Sequence, residues 1–486
     1  MGAPGEIINL IERFDRNRDT YMSGRYNETQ LRIEFVDPFF EALGWDVSNK
    51  AGYSEPYKDV IHEDAIKVGG VSKAPDYSFR IGGTRKFFVE AKKPSVKIKD
   101  EISPAFQLRR YAWSVKLPLS VLTDFEEFAV YDCRIKPAQT DKPSTARTIY
   151  LEYTSYPDHW DEIHSIFSKD AVLRGSFDRY VESSKLKKGT TEVDAAFLME
   201  IESWRDMLAR NIAIRNPKLS QRELNFAVQR VIDRIIFLRI CEDRGIEHLD
   251  RLRALMNGAN VYKRLVELFR DADDKYNSGL FHFRAEKDRA EEPDRVTLDL
   301  NIDDKAIREI IGSLYYPESP YVFSVLPADI LGQVYEQFLG KVIRLTAGHQ
   351  AKIEYKPEVK KAGGVYYTPT YIVDYIVKNT VGNLLGNAAV PAAVRGVSRP
   401  DERGQDAEPA SLRRPKAVSK GADGVNPKAV SKFKILDPAC GSGSFLIGAY
   451  QYLLDWHRDY YLEDGPGKHT KEIFQGAGAS WRLTTA

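Results

Sequence analysis

Asp76, Glu90 and Lys92 are the residues whose types and spacing point most directly to chemistry. Glu90 and Lys92 are two apart, so on an extended chain both side chains leave the same face. Pro75-Asp76 opens one extended run to Ile81, Gly82-Gly83 supplies a hairpin turn, and Lys86–Lys92 returns, bringing Asp76 alongside Glu90. Two carboxylates and a lysine at one sheet edge suit a hydrolytic Mg²⁺ site. Asp76 and Glu90 would be its hard oxygen ligands, and Lys92 would orient water or stabilise developing charge. The competing reading is an ion pair on an exposed strand face. Glu28 or Glu34, on an upstream helix, could add a carboxylate to the metal site.

A second constellation lies near the C-terminal end of the sequence. Phe433–Leu436 is expected to be a short buried strand. Ser444–His457 is expected to be a helix with Phe445, Leu446, Tyr450, Leu453 and Leu454 on its apolar side. Gly441 and Gly443 between them allow a tight turn and close approach of a ligand. A strand, a Gly-x-Gly turn and a helix N-terminus form the cofactor crevice of open α/β sheets. Asp437, at the strand end, would repel a pyrophosphate but can accept a hydrogen bond from an ammonium group, which favours S-adenosylmethionine over a dinucleotide. Upstream, Thr368 is the expected N-cap and Pro369 the first residue of a helix whose stripe is Ile372, Val373, Ile376 and Val377. Its N-terminus would favour a carboxylate such as the methionine end of that cofactor.

The elements that must position these residues follow from periodicity. Leu31, Phe35, Phe39 and Leu43 recur every four residues, which predicts a helix over 28–43 stopped by Gly44. Trp45–Val47 is expected to be extended. A further helix should begin near Ser103, and Leu117–Tyr131 reads as two strands joined by an Asp-Phe-Glu-Glu turn. From Asp158 to about Thr346 the pattern is helical, with Ser220 capping a long helix to Glu242 that is apolar nearly all round at Ile235–Leu238. Ile330–Leu339 reads as another amphipathic helix. Cys241 is expected to be a packed thiol, and the region shows no chemistry of its own. Residues 388–432 lack periodicity and are expected to be a disordered insert. They repeat Pro415–Lys420 as Pro427–Lys432.

The 486 residues suit about three domains. With 43% hydrophobic and 29% charged residues, the composition is that of a soluble globular protein. No apolar run approaches the ~20 residues of a membrane span, and no signal peptide is evident, so the expected location is the cytoplasm. Cys133, Cys241 and Cys440 are too scattered for a disulfide framework or zinc knuckle. A net charge of +1 means that any nucleic-acid surface is a local patch.

Pro-Asp followed by Glu-x-Lys resembles the PD-(D/E)XK nucleases, and Gln107 with Tyr111 is similar to a Gln-x-x-x-Tyr motif seen in some of them, which makes Gln107 a catalytic candidate. Asp437-Pro438-Ala439-Cys-Gly441-Ser-Gly443-Ser-Phe445 resembles the first cofactor motif of the N6-adenine DNA methyltransferases. Gly364-Val-Tyr-Tyr367-Thr368-Pro369 resembles the extra cofactor motif of such enzymes. The order of parts resembles the single-chain type IIG (type IIL-like) restriction-modification enzymes. That resemblance implies a multi-domain chain of α/β and α parts. Residues 1–155 would be the nuclease, 156–346 a helical spacer, and 347–387 with 433–486 the N-terminal part of a Rossmann-like methyltransferase domain. It implies double-stranded DNA as partner, with S-adenosylmethionine and Mg²⁺ as cofactors. After Gly443 only 43 residues remain, with neither the family's ribose-binding carboxylate nor its Asn-Pro-Pro-Tyr motif. The expectation is therefore an N-terminal fragment with an incomplete cofactor site that does not methylate alone, whose missing methylase and target-recognition parts a partner chain could supply. The alternatives are a methylase-only phage-defence protein and a non-enzymatic DNA-binding or assembly fragment.

Overall fold

The computed structural model describes residues 2–53, 57–62, 75–183, 192–276, 278–285, 292–326, 332, 340–361, 368, 370–385, 426–438, 440, 443–475 and 481–484. The chain divides into two compact units, Met1–Val365 and Tyr366–Ala486. The fold is mixed α/β. Among the described residues no helix is long and apolar enough to cross a membrane.

The first unit contains a six-stranded sheet of β1 (Val60–His62), β2 (Tyr77–Ile81), β3 (Thr84–Ala91), β4 (Leu119–Thr123), β5 (Glu127–Asp132) and β6 (Arg147–Glu152), paired in chain order. The β2–β3 hairpin turns on Gly82 and Gly83, with φ of +55° and +81°, values that cost a residue with a Cβ. All its neighbours pair antiparallel except β3 with β4. A parallel pair needs a crossover, and a helix makes it here.

Three helical segments cover one face of the sheet: α1 (Gly5–Arg16), α2 (Glu28–Leu31) and α3 (Asp37–Ala42). The crossover helix α4 (Ile102–Ser114) covers the other face, and α5 (Tyr156–Phe167) returns to the first. Period-two alternation sorts the strand residues: Phe87 and Val89 join Phe14, Phe35, Phe39 and Trp160 on one side, and Phe88 joins Leu108 and Ala112 on the other. Between α2 and α3 the rod is π-helical over Arg32–Val36. Pro38 has no N–H to give the Glu34 carbonyl, and Arg13 Nη2 donates to that carbonyl instead. The predicted helix over 28–43 is therefore present with a widened turn at its centre. Trp45–Val47 forms no strand. Trp45 is buried, with its indole N–H donating to the Phe167 carbonyl at 2.7 Å.

The remainder of the first unit is built on α6 (Val193–Arg215), α7 (Gln221–Asp243), α8 (Val261–Tyr276) and α9 (Asp304–Ser313), which share one apolar core. The Ser220 side chain accepts from the Glu223 N–H, and Glu223 accepts from the Ser220 N–H, a capping box at the start of α7. Two partitions differ from the sequence-derived boundaries. Tyr156, Trp160, Phe167 and Phe177, beyond residue 155, are buried in the sheet's aromatic core. The hairpin of β7 (Lys341–Leu345) and β8 (Ala351–Tyr355), beyond residue 346 in its second strand, packs on the helical core through Ile343 and Ile353. The expected helix over 330–339 lies outside the described residues, apart from position 332.

In the second unit, α10 (Thr370–Leu384) packs on α11 (Ser444–Glu463). The buried stripe of α10 is Val373, Val377 and Val381, continued by Leu385 just past its end. Ile376, expected in the stripe, is 39% exposed, and Tyr450 of α11 is likewise exposed. Phe433–Leu436 is not the buried strand expected: the residues pair with no strand, and Leu436 is 87% exposed. A strand needs a ladder for its backbone groups, and none of the described residues supplies one. Residues 426–432, the end of the expected insert, are ordered instead. The Asn426 side chain accepts from the Ala429 N–H, Pro427 stands in the first turn, and Val430 is buried against α10 and α11. In the repeat's first copy the residue before the Pro is Arg414, not Asn. Residues 388–425 lie outside the described residues.

Two glycines bring α10 and α11 together. A Cβ on Gly448 would stand 2.7 Å from Val373 Cγ1 and 3.6 Å from Val377 Cγ2, whereas one on Gly382 would meet the Tyr452 hydroxyl at 2.7 Å. A β-branched neighbour cannot swing away, but a tyrosine tip can. Gly448→Ala should therefore destabilise the second unit by about 1–3 kcal/mol and Gly382→Ala by less. Melting and limited proteolysis of the two variants check the order, and a more damaging Gly382→Ala would refute this account of the contact.

Candidate functional site

Glu90 lies near the C-terminal end of β3 and is buried, at 3% exposure. Its Oε1 accepts from Lys92 Nζ at 2.6 Å and from Gln107 Nε2 of α4 at 3.4 Å. Its Oε2 is buried and has no hydrogen-bond partner. Tyr77 pairs with Val89 across the hairpin, and that register carries Asp76 to the position beside Glu90. Asp76 Oδ2 accepts the Ala91 N–H at 2.8 Å, and Oδ1 accepts from Arg32 Nη1 at 3.1 Å. Glu28 Oε1, from α2, is 3.9 Å from Lys92 Nζ. Asp76, Glu90, Lys92 and Gln107 are thus gathered at one end of β3, with Glu28 at the rim. Glu34 is turned elsewhere, toward Tyr26. The surface ion-pair reading fails because both partners are largely buried.

Burial, and then the neighbouring Asp76, push the Glu90 carboxyl up to about 7 against the pull of the Lys92 ammonium. Burial acts to lower Lys92, but Glu90 outweighs it and keeps the ammonium charged. With its folded pKa above its unfolded one, Glu90 contributes stability that is complete below about pH 4.5. That contribution is lost as pH rises through about 7, because the folded state holds the proton longer. In chelator, the wild type should accordingly lose about 1–3 kcal/mol relative to Glu90→Gln between pH 5 and 8.5. Urea unfolding across that range checks this, and a pH-independent difference between the two proteins would refute it.

The donor set fits a magnesium-like ion in one respect and limits it in another. Asp76 and Glu90 are hard oxygen donors, and the partnerless Glu90 Oε2 is an orphan that a cation would satisfy. Among the described residues no three of His, Cys, Asp and Glu are grouped to hold a metal by themselves. Two carboxylates with water and a substrate phosphate are the usual complement of Mg²⁺.

Sequence reasoning missed Arg32, His62, Tyr77 and Asp37, which line the back of this site. The available signal was Arg32 standing one helical turn after Glu28.

The second constellation is only partly visible. Tyr367, Pro369, Ala439 and Gly441 lie outside the described residues, and so does the capping geometry at Thr368. Gly443 has φ +79° and immediately precedes α11, its N–H donating to the Cys440 carbonyl at 2.7 Å. Asp437 is half-buried and Pro438 exposed. The tight turn into the helix is present.

No family model matches the chain. It is 36% identical over 470 residues to the type II restriction enzyme and methyltransferase RM.Eco57I of Escherichia coli, covering 96% of this chain and 42% of that protein. It is 23% identical over 533 aligned residues to RM.MjaORFECS2P of Methanocaldococcus jannaschii, a protein named for the same two activities, covering 94% of this chain and 42% of the relative. The chain thus spans about two fifths of the length of these curated relatives. Among solved structures, the type IIG restriction endonuclease BpuSI matches at 14% identity with a TM-score of 0.22, covering 86% of this chain and 37% of that one. A TM-score that low carries no structural argument.

Proposed function

We propose that this chain, which is related along nearly its whole length to combined type II restriction enzymes and methyltransferases, carries the DNA-cleaving part of such a system as a PD-(D/E)XK nuclease. Its second unit would carry the first cofactor motifs of an S-adenosylmethionine-dependent N6-adenine DNA methyltransferase. The substrate of both is double-stranded DNA. The nuclease corresponds to residues 1–155 with the helices that complete its core, the helical spacer to the residues that follow, including the β7–β8 hairpin beyond 346, and the methyltransferase part to the second unit, 366–387 and 433–486. The observation that carries the nuclease reading is the buried Glu90 Oε2, without a partner, between Asp76 and Lys92.

In this reading Asp76 and Glu90 hold Mg²⁺. When bound, the ion supplies polarisation of the scissile phosphate and a water of lowered pKa. Lys92 donates toward the attacking water or the developing phosphorane charge. Gln107 fixes Glu90 Oε1, which leaves Oε2 directed to the ion. Glu28 at the rim can accept a proton from water in the outer shell.

The test is incubation of the purified chain with supercoiled duplex DNA in Mg²⁺, Mn²⁺ or chelator. Nicking or cleavage that needs the metal and disappears in Asp76→Ala is the expected result. Cutting that persists in chelator would overturn the site assignment. DNA binding without cutting in either metal would favour the non-enzymatic reading. For the second unit, calorimetry with S-adenosylmethionine tests the cofactor reading, with Asp437→Ala as the control.

A further inference from the structure

Arg32 reaches the catalytic edge from the π-helical turn and is held there on several sides. Its Nη1 donates to Asp76 Oδ1 at 3.1 Å, its Nη2 lies 3.2 Å from His62 Nδ1, and its Cζ stands 4.8 Å from the centroid of the Tyr77 ring. His62 Nε2 is 2.9 Å from the Val47 carbonyl, which accepts its proton and leaves Nδ1 as the acceptor for Arg32. Tyr77 is in turn tied down, its hydroxyl donating to Asp37 Oδ1 at 2.6 Å. The Arg32 and Asp76 side chains are only 15% and 17% exposed. An exposed Arg–Asp pair swings freely and contributes little, but this guanidinium has an imidazole, an aromatic ring and a carboxylate defining its place. A π turn in an otherwise α-helical rod is a recurrent way of re-aiming a side chain at a functional site.

We propose that Arg32 is a positioning residue for the metal-binding carboxylate. With the Ala91 N–H on Oδ2, it locks Asp76 in one orientation beside the free oxygen of Glu90. It also supplies an internal cation, beside that of Lys92, that lets Asp76, Glu90 and Glu28 share one edge. Each carboxylate oxygen keeps a further lone pair, so a divalent ion can be bound without breaking either clamp. The inference rests on the nuclease reading above.

Titration calorimetry with Mn²⁺, on the whole chain and without DNA, tests it. Arg32→Met should weaken Mn²⁺ binding at least tenfold. Arg32→Lys should recover part of the loss, because an ammonium keeps the charge but cannot bridge Asp76 and His62 in one plane. His62→Leu, which keeps the pair and removes a brace, should weaken binding by about threefold, and with Arg32→Lys it decides the matter should Arg32→Met not fold. Binding as tight as wild type, or tighter, in the folded Arg32 variants would overturn the proposal and make Arg32 a competitor of the ion. Unchanged Mn²⁺ affinity in Asp76→Ala would instead defeat the nuclease reading itself, so the two failures are distinguishable.

Discussion

Lys92→Met is expected to lower metal-dependent DNA cleavage by about a hundred- to a thousandfold, the usual cost of removing one preorganised donor to a developing charge. The variant should remain folded. Without the ammonium, Glu90 keeps its hydrogen bond from Gln107 and becomes still easier to protonate, so no bare charge is stranded. Mn²⁺ binding should survive, because Lys92 is not a ligand in the proposed arrangement. The informative result is therefore a split, with cleavage rate collapsing at saturating metal while calorimetric affinity is retained. Cleavage within threefold of wild type would remove Lys92 from the mechanism. Loss of both properties together would show that its role is only to hold Glu90 in place.

Arg239→Met should have the largest effect on stability, about 3–5 kcal/mol, the range for breaking a buried ion pair on one side. Arg239 lies on α7 with its Nη2 2.8 Å from Asp243 Oδ1 and its Nε donating to the Leu314 carbonyl at 3.0 Å. The guanidinium lies against Tyr315, with Cζ 4.3 Å from the ring centroid. Asp243 Oδ2 also accepts the Phe323 N–H at 3.0 Å, and the Tyr315 hydroxyl donates to Glu242 at 2.6 Å. Methionine fills the volume but takes from the buried Asp243 the guanidinium that pairs with it. The neighbouring Val322 N–H donates to Ser114 Oγ of α4 at 3.0 Å, and α4 carries Gln107. The damage should therefore reach the edge that carries Asp76 and Glu90, and in the proposed reading appear as a smaller fall in cleavage. Urea unfolding against the exposed control Arg210→Met measures the main effect. A difference under 1 kcal/mol would refute the stabilising role given to the Arg239–Asp243 pair.

Where one short stretch of chain contains all the information, the sequence alone was sufficient. The β2–β3 hairpin follows from Gly82-Gly83, and its length puts Asp76 beside Glu90 while the strand period puts Lys92 on the same face. The α7 cap is written in Ser220 and Glu223, and the two strands around Asp124–Glu126 in their apolar runs. What depends on distant residues could not be read. Whether Glu90 and Lys92 form a surface pair or a buried cluster is decided by α4 and the helical rod closing over them. That choice also fixes the unpartnered oxygen and the raised carboxyl. The only local hint of Arg32 was its place one helical turn after Glu28, because its partners Asp76 and His62 are 44 and 30 positions away. The long helix α7 looked chemically silent because an arginine in its middle reads as solvent-facing until Asp294, 60 residues on, meets Arg234. Phe433–Leu436 has the composition of a strand, but composition cannot provide the neighbouring backbone. A helix can satisfy its own hydrogen bonds, whereas a strand, an ion pair and a metal site each need a partner that only the folded chain brings.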